Sequence, residues 1–288
     1  MQEIAPHVYM ETAYAGVTLG AIAWGHGLLL IDSPLRIEDT RSWRASLLNT
    51  GNSTDRMLIN LDAHVDRTLG VRAMECTVIG HIETADTFHA RPLTFKAQSN
   101  DSGAEWESCE GISNTRWAPP DITFSDNLII HWDDNPIILE HWPGPAIGSI
   151  CVRLPQEKII FIGDLATPNQ PPFLADAELP AWIDALSKLL QPEFSDYIII
   201  SGRSAIIRQS DIKIQLDLLK FIRQNLEQLP ESGPAELADR FVAGLLSRFS
   251  PSTERSPLFK NRLQYGLRQY YQRHQPSTET ADGEQASV

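Results

Sequence analysis

The segment MLINLDAHVDRTLG, residues 57–70, places a dense group of polar side chains directly after an apolar run. The apolar run at 57–59 is typical of a buried strand. Asp62, His64 and Asp66 alternate as side chains on an extended segment do, so we expect them to project to one side. Such a group at a strand end can supply metal ligands or catalytic groups. The alternative is a polar loop in which Asp66 caps the following helix.

Further segments combine an apolar strand with a turn of glycine, proline or acidic residues. They lie at 16–34, 141–149, 158–164 and 197–203. Together with 57–70, these segments resemble the metallo-β-lactamase superfamily, whose motifs are His-x-His-x-Asp-His, Pro-Gly-His-x-x-Gly-Ser, Phe-x-Gly-Asp and Gly-His, in this order. The resemblance covers residues 5–210. It implies a mixed α/β fold, namely the four-layer αββα sandwich of that superfamily.

The resemblance also implies a dinuclear zinc site, and this sequence departs from it at four ligand positions. In chain order, the family's ligand positions carry Asp62, His64, Asp66, Arg67, Pro145, Asp164 and Arg203. Arginine stays protonated and cannot ligate a metal, and proline offers no ligand side chain. Only His64, Asp66 and Asp164 retain the family's residue. We therefore predict a degenerate site without zinc and without catalytic residues.

Charge supports this prediction. At about 4 Å from one guanidinium, a divalent ion is repelled by roughly 8 kcal/mol at an effective dielectric constant of about 20. A structural zinc site gains only about 10–16 kcal/mol in total. Arg67 and Arg203 can instead form bidentate ion pairs with Asp62, Asp66 and Asp164. The sequence thus predicts a salt-bridge cluster that holds the former metal site together.

Two functional interpretations remain open beside this purely structural role. In the first, the protein is a binding or regulatory protein, and the guanidinium of Arg67 or Arg203 binds a small anionic ligand. In the second, it is a hydrolase that uses one divalent metal such as Mn²⁺, Fe²⁺ or Mg²⁺. The residual candidate ligands for that metal are Asp62, His64, Asp66 and Asp164. His141, just before the Pro-Gly turn, is a candidate neighbour of the same pocket.

Composition narrows the possible partners and location. The net charge of −13 argues against nucleic acid and anionic membranes as partners. The basic residues Lys260, Arg262, Arg268 and Arg273 read as a solvated helix face. No apolar run approaches the roughly 18 residues of a membrane span, and the N-terminus has no signal-peptide pattern. We expect a cytoplasmic protein.

The chain divides into three predicted parts. Residues 1–210 form the metallo-β-lactamase-like domain, 211–275 form helices packed on it, and 276–288 form a disordered tail. The C-terminal helices are also a candidate surface for homo-oligomer formation. Residues 92–127 have no long periodic pattern and correspond to the superfamily's variable insertion over the site, whose role the sequence does not define.

Overall fold

The computed structural model describes residues 1–50, 55–97, 101–132, 134–227 and 241–274. Its first sheet has seven strands in sequential order. They are β1 (Gln2–Ala5), β2 (Val8–Glu11), β3 (Leu19–Trp24), β4 (Gly27–Ile31), β5 (Arg56–Ile59), β6 (Thr77–His81) and β7 (Ile122–Phe124). The first four strands pair antiparallel, and β4 to β7 run parallel.

The second sheet has six strands in the order β13-β12-β11-β10-β9-β8. They are β8 (Asn127–Ile130), β9 (Ile137–His141), β10 (Ile150–Leu154), β11 (Ile159–Phe161), β12 (Ile198–Ser201) and β13 (Ala205–Ile207). Its pairs are antiparallel except for β11 and β12, which run parallel.

The helices with defined bounds are α1 (Ile37–Ser46), α2 (Val65–Thr68), α3 (Ile82–Ala90), α4 (Leu179–Leu189), α5 (Gln209–Leu226) and α6 (Ser256–His274). Residues 241–246 are also helical. Within the described ranges, every helix falls short of the length or the apolar character that crossing a bilayer requires.

Alternating side chains build the layers of the sandwich. In β4, Leu29 and Ile31 join the core between the two sheets, whereas Leu28 and Leu30 face a core that contains Trp43 of α1. On the second sheet, Val152 faces the first sheet and its neighbour Cys151 faces the helices α4, α5 and α6. The period of two in each strand therefore gives a helix–sheet–sheet–helix stack. The predicted αββα fold class is confirmed.

Most predicted strands and helices lie within a few residues of the observed ones, but two short edge strands differ. β7 lies inside the 92–127 region that showed no pattern, and β13 follows β12 directly. Each has only three residues, which is too short for an alternation to be recognised. The predicted tail and parts of the predicted helices 211–229 and 235–249 lie outside the described residues. The predicted division into three parts stays a prediction.

Candidate functional site

The polar residues after β5 form a tight turn and a short helix. The main-chain N–H of His64 donates to the Asp62 side chain at 2.8 Å, and Thr68 donates to the His64 carbonyl at 2.7 Å. His64, with φ −67° and ψ 136°, is the last extended residue, and Asp66 lies inside α2. The predicted extended alternation of 62, 64 and 66 is therefore wrong, and so is the alternative of Asp66 as the cap. An aspartate that accepts an N–H two residues ahead reverses the chain locally and overrides that pattern.

Arg67 points from α2 into the space between the two sheets, and its side chain is fully buried. Its guanidinium meets three carboxylates that follow different strands. Nη1 lies 3.3 Å from Asp32, Nε lies 3.4 Å from Asp62, and Nη2 donates to Asp164. Asp32 follows β4, Asp62 follows β5, and Asp164 follows β11. Arg67 therefore joins the carboxyl ends of strands from both sheets.

Two glycines leave the space that this guanidinium occupies. A Cβ on Gly202 would lie 2.6 Å from Nη1 of Arg67, and a Cβ on Gly163 would lie 3.3 Å from the same atom. Gly163 also has φ +55°, a backbone conformation that favours glycine. The turns after β11 and β12 are thus shaped around the Arg67 side chain.

Arg203 follows β12 and binds the other side of the same group of acids. Nε donates to both oxygens of Asp164 at 3.0 Å, and Nη1 donates to Asp66 at 2.9 Å and to the Gly16 carbonyl at 3.2 Å. Nη2 lies 3.0 Å from Nδ1 of His64. Because a guanidinium can only donate, this imidazole nitrogen is the acceptor. All three nitrogens of Arg203 are thus engaged.

We call Asp32, Asp62, Asp66, Asp164, Arg67 and Arg203 the ion-pair cluster. Asp32 and the nearby Glu105, whose Oε2 lies 3.6 Å from Nη1 of Arg203, were missing from the sequence-based set. Every member of the cluster is buried. The hypothesis that Arg67 or Arg203 has a guanidinium free for a ligand is wrong, because both are surrounded by carboxylates.

Burial and the neighbouring charges shift the pKa values of the cluster's aspartates in opposite directions. Burial alone would raise the pKa of Asp164 and of Asp66, but Arg203 beside both, and Arg67 beside Asp164, hold each pKa well below its usual range. At Asp32 burial prevails over the attraction of Arg67, and the pKa rises to about 7. Asp164 and Asp66 are therefore fixed as anions, whereas Asp32 titrates near neutral pH.

The residues that the resemblance assigns to metal-ligand positions do not fit a dinuclear metal centre. The carboxylates of Asp66 and Asp164 are taken up by guanidinium donors, and Arg67 stands between Asp62 and Asp164. Over the described ranges, no set of three histidine, cysteine or acidic side chains is arranged to hold an ion. An incoming cation would first have to displace a buried guanidinium from its partners.

A pocket of about 620 Å³ lies directly over the cluster. Its wall includes Asp62, His64, Pro145 and Asp164 of the predicted site, while Arg67 and Arg203 lie behind that wall. His141 also lies outside the lining: its Nε2 is 2.7 Å from the carbonyl of Ile147, a wall residue, and its ring stacks on His81 at 3.7 Å.

Another part of the pocket wall comes from helix α6 and from the 92–127 region. Ser102, Ala104 and Trp106 of the 92–127 region line it, as do Arg262 and Tyr265 of α6. The interpretation of Arg262 as part of a solvated helix face is wrong, since only 1% of the residue is exposed. The residues around Arg262 in the sequence do not indicate that its side chain is buried.

Comparison with known proteins identifies the superfamily whose fold this structure shares. Residues 71–201 match the model of the metallo-beta-lactamase superfamily, a range that begins just after the altered 62–67 motif. No curated protein matched the sequence. Among solved structures, a metallo-beta-lactamase from Pontibacter korlensis is 20% identical, with a TM-score of 0.58 over 76% of this chain and 97% of that one.

Two other structures cover almost the whole chain. A metallo-beta-lactamase family protein from Thermus thermophilus is 17% identical, with a TM-score of 0.60 over 91% of this chain and 93% of that one. The stereoselective inverting sec-alkylsulfatase Pisa1 from Pseudomonas sp. is 15% identical, with a TM-score of 0.60 over 94% of this chain and 49% of that one. The predicted resemblance is confirmed: the chain has the fold of the metallo-β-lactamase superfamily.

Proposed function

We propose that this protein binds a small ligand without hydrolysing it, as a binding or regulatory protein on a metallo-β-lactamase fold. The observation that carries the proposal is the buried guanidinium of Arg67 between Asp32, Asp62 and Asp164. Metal-assisted hydrolysis in this fold needs an ion at that place to generate the nucleophile. The ion-pair cluster fills the place with a positive charge that can neither ligate nor deprotonate.

The pocket over the cluster supports a binding role. Its volume of about 620 Å³ lies within the range of about 300–1,000 Å³ that is typical of small-molecule sites. The wall combines apolar side chains such as Trp106, Phe173 and Leu174 with a few charged groups. The pocket is therefore a concave site of a size that suits a small ligand.

The alternative, a hydrolase with a single Mn²⁺, Fe²⁺ or Mg²⁺, draws its support from the retained His64, Asp66 and Asp164. Its difficulty is that Nδ1 of His64 and the carboxylates of the two acids all face Arg203. The alternative requires Arg203 to swing away and leave a buried carboxylate pair. We therefore prefer the binding role.

Metal analysis separates the two functions. Protein purified without chelators should carry well under one equivalent of transition metal per chain. Addition of Zn²⁺, Mn²⁺ or Mg²⁺ should not produce hydrolysis of ester, β-lactam or phosphodiester test substrates. Two tightly held zinc ions per chain would refute the proposal. Hydrolysis that depends on Mn²⁺ and is lost in Asp164→Asn would establish the alternative.

A further inference from the structure

Two histidines beside the pocket stack their rings against each other. His81 ends β6 and His141 ends β9. Their ring centroids lie 3.7 Å apart, with an angle of 16° between the ring planes. Only 2% of His81 is exposed, and His141 is half-buried. A pair of titratable side chains therefore lies next to the pocket and outside the ion-pair cluster.

The hydrogen bonds of His81 fix its ring in one neutral form. Its Nδ1 faces the main-chain N–H of Glu83 at 3.2 Å, and its Nε2 lies 2.6 Å from the carbonyl oxygen of Ser125. An N–H can only donate and a carbonyl can only accept, so Nδ1 is the acceptor and Nε2 carries the proton. His81 is thereby the N-cap of α3. A second proton, on Nδ1, would meet the Glu83 N–H and break the cap.

His141 holds the loop 145–148, which forms part of the pocket wall. Its Nε2 lies 2.7 Å from the carbonyl oxygen of Ile147, so this nitrogen is the donor. The same loop is tied to the first turn of α3, because Thr84 donates to the Gly148 carbonyl at 3.1 Å. A Cβ on Gly148 would lie 2.7 Å from the main-chain nitrogen of Thr84, which shows how closely loop and helix pack. The two imidazoles thus hold the two sides of one contact.

We propose that His81 and His141 form an acid-sensitive latch, which releases the loop 145–148 from α3 when both rings are protonated. While the rings are neutral, the latch keeps this side of the pocket closed. Ile147 of the loop and Thr87 of α3 both line the pocket, so release separates two parts of its wall. The latch goes beyond the proposed binding role, because it governs access to the pocket whatever the ligand is.

Double protonation is unfavourable in the closed form. Two imidazolium charges in stacked rings would repel each other, and the charge on His81 would lie at the positive end of the α3 dipole. Burial holds the pKa of His81 below its ordinary value, and His141 acts in the same direction. The Ser125 carbonyl and the carboxylates of Glu83 and Asp126 act in the opposite direction without prevailing. Protonation of both rings therefore pushes the stack apart, and His141 takes the loop with it.

The sign of the pH dependence follows from the lowered pKa of His81. Since the closed form binds the second proton of this ring less readily than a solvated histidine does, the released form takes up more protons. The latch is fully effective above about pH 6.5, the ordinary pKa of histidine, and weakens as the pH falls below that value. Asp32 of the cluster also titrates near neutral pH, so a variant must tie the response to His81.

The competing explanation is that the stack is a fixed part of the core. A histidine satisfied by two main-chain groups can serve packing alone, and its protonation would then accompany unfolding of the whole domain. The two explanations differ in the amides that become exposed. The latch releases residues 82–91 and 145–149 alone, whereas global unfolding exposes the central strand β4 to the same extent.

Hydrogen exchange of the full-length protein from pH 7 to pH 5, corrected for the intrinsic exchange rate, tests the latch. Protection of 82–91 and 145–149 should fall by about tenfold over this range, whereas that of β4 should not fall. His81→Asn keeps an N-cap side chain and has no proton to gain, so it should abolish the fall. The matched control is His26→Asn, at an exposed histidine between β3 and β4, which should leave the fall unchanged.

A second measurement uses the other ring of the stack. His141→Gln keeps a nitrogen donor for the Ile147 carbonyl and removes the charge that faces His81. In NMR titrations of ¹⁵N-histidine-labelled protein, this variant should move the titration midpoint of His81 to higher pH. If His81→Asn does not fold, the wild-type exchange pattern and this titration decide. An equal loss of protection in β4, an undiminished fall in His81→Asn, or an unchanged His81 midpoint in His141→Gln would each overturn the inference.

Discussion

Replacement of Arg67 by alanine should be among the most destabilising single changes in this protein. The guanidinium is fully buried and is the ion-pair partner of Asp32 and Asp62, while Arg203 also binds Asp164. Its loss leaves two carboxylates buried without a counter-charge. Removal of one partner of a buried ion pair costs about 3–5 kcal/mol. With an unfolding entropy of about 2.1 cal/mol/K per residue, this loss lowers the melting temperature of the 288-residue chain by roughly 5–8 °C.

Urea denaturation followed by tryptophan fluorescence measures this loss, and Arg223→Ala provides the matched control. Arg223 pairs with Glu227 at 2.7 Å on an exposed turn of α5, a type of pair worth only about 0.3–0.5 kcal/mol. The midpoint of Arg67→Ala should fall far below that of Arg223→Ala. Equal midpoints for the two variants would mean that Arg67 is solvated, and the cluster as described would be refuted.

Four further predictions concern the same cluster. Below about pH 4 the unfolding free energy should fall, because Asp66 and Asp164 have lowered pKa values and the unfolded chain takes up their protons first. Asp32, with a pKa of about 7, has the opposite effect on stability. Its contribution to the free energy of unfolding should decline by at most about 4 kcal/mol as the pH rises from about 4 to 7. In urea titrations, Asp32→Asn should abolish that decline. Gly202→Ala should destabilise the protein by about 1–3 kcal/mol, because the added methyl group would approach Arg67 too closely. Gly244→Ala is the control, since the space around Gly244 is open. Equal denaturation midpoints for the two variants would contradict the packing around Arg67. A folded quadruple variant should bind zinc in a titration, whereas the single variants should not; its substitutions are Asp62→His, Arg67→His, Pro145→His and Arg203→His. If the quadruple variant binds zinc no more tightly than the wild type, these four positions do not converge on one site.

The fold could be predicted because its signals are local. Continuous apolar runs such as 28–31 and 159–162 are typical of strands that are buried on both faces, and the turns after them carry residue types that resemble those of the superfamily. The sequence also predicted that arginines face carboxylates at the former metal positions. The sequence identified Asp62, Asp66 and Asp164 as partners but missed Asp32. Asp32 is 35 residues from Arg67, and its oxygen reaches that guanidinium only because β4 and β5 pair in parallel.

The pocket was less predictable than the cluster. Arg262 and Arg91 lie outside the superfamily motifs, and the pocket wall they share forms only when α6 packs across the sandwich. In sequence, Arg262 lies two residues after the exposed Lys260, and its residue type does not indicate burial. The extended arrangement of 62, 64 and 66 failed for a related reason, because one side-chain hydrogen bond from Asp62 redirected the chain.

The sharing of Asp164 between two guanidiniums has a consequence for how this chain can change over generations. Replacement of either arginine alone leaves buried carboxylates without a counter-charge. The cost is a large part of the roughly 5–15 kcal/mol by which native proteins are stable. Restoration of a metal ligand at one position brings no benefit while the other guanidinium still repels the ion. A variant that lacks only one of the two arginines should therefore be less stable than the protein that has both. The cluster therefore resists the replacement of its arginines one at a time.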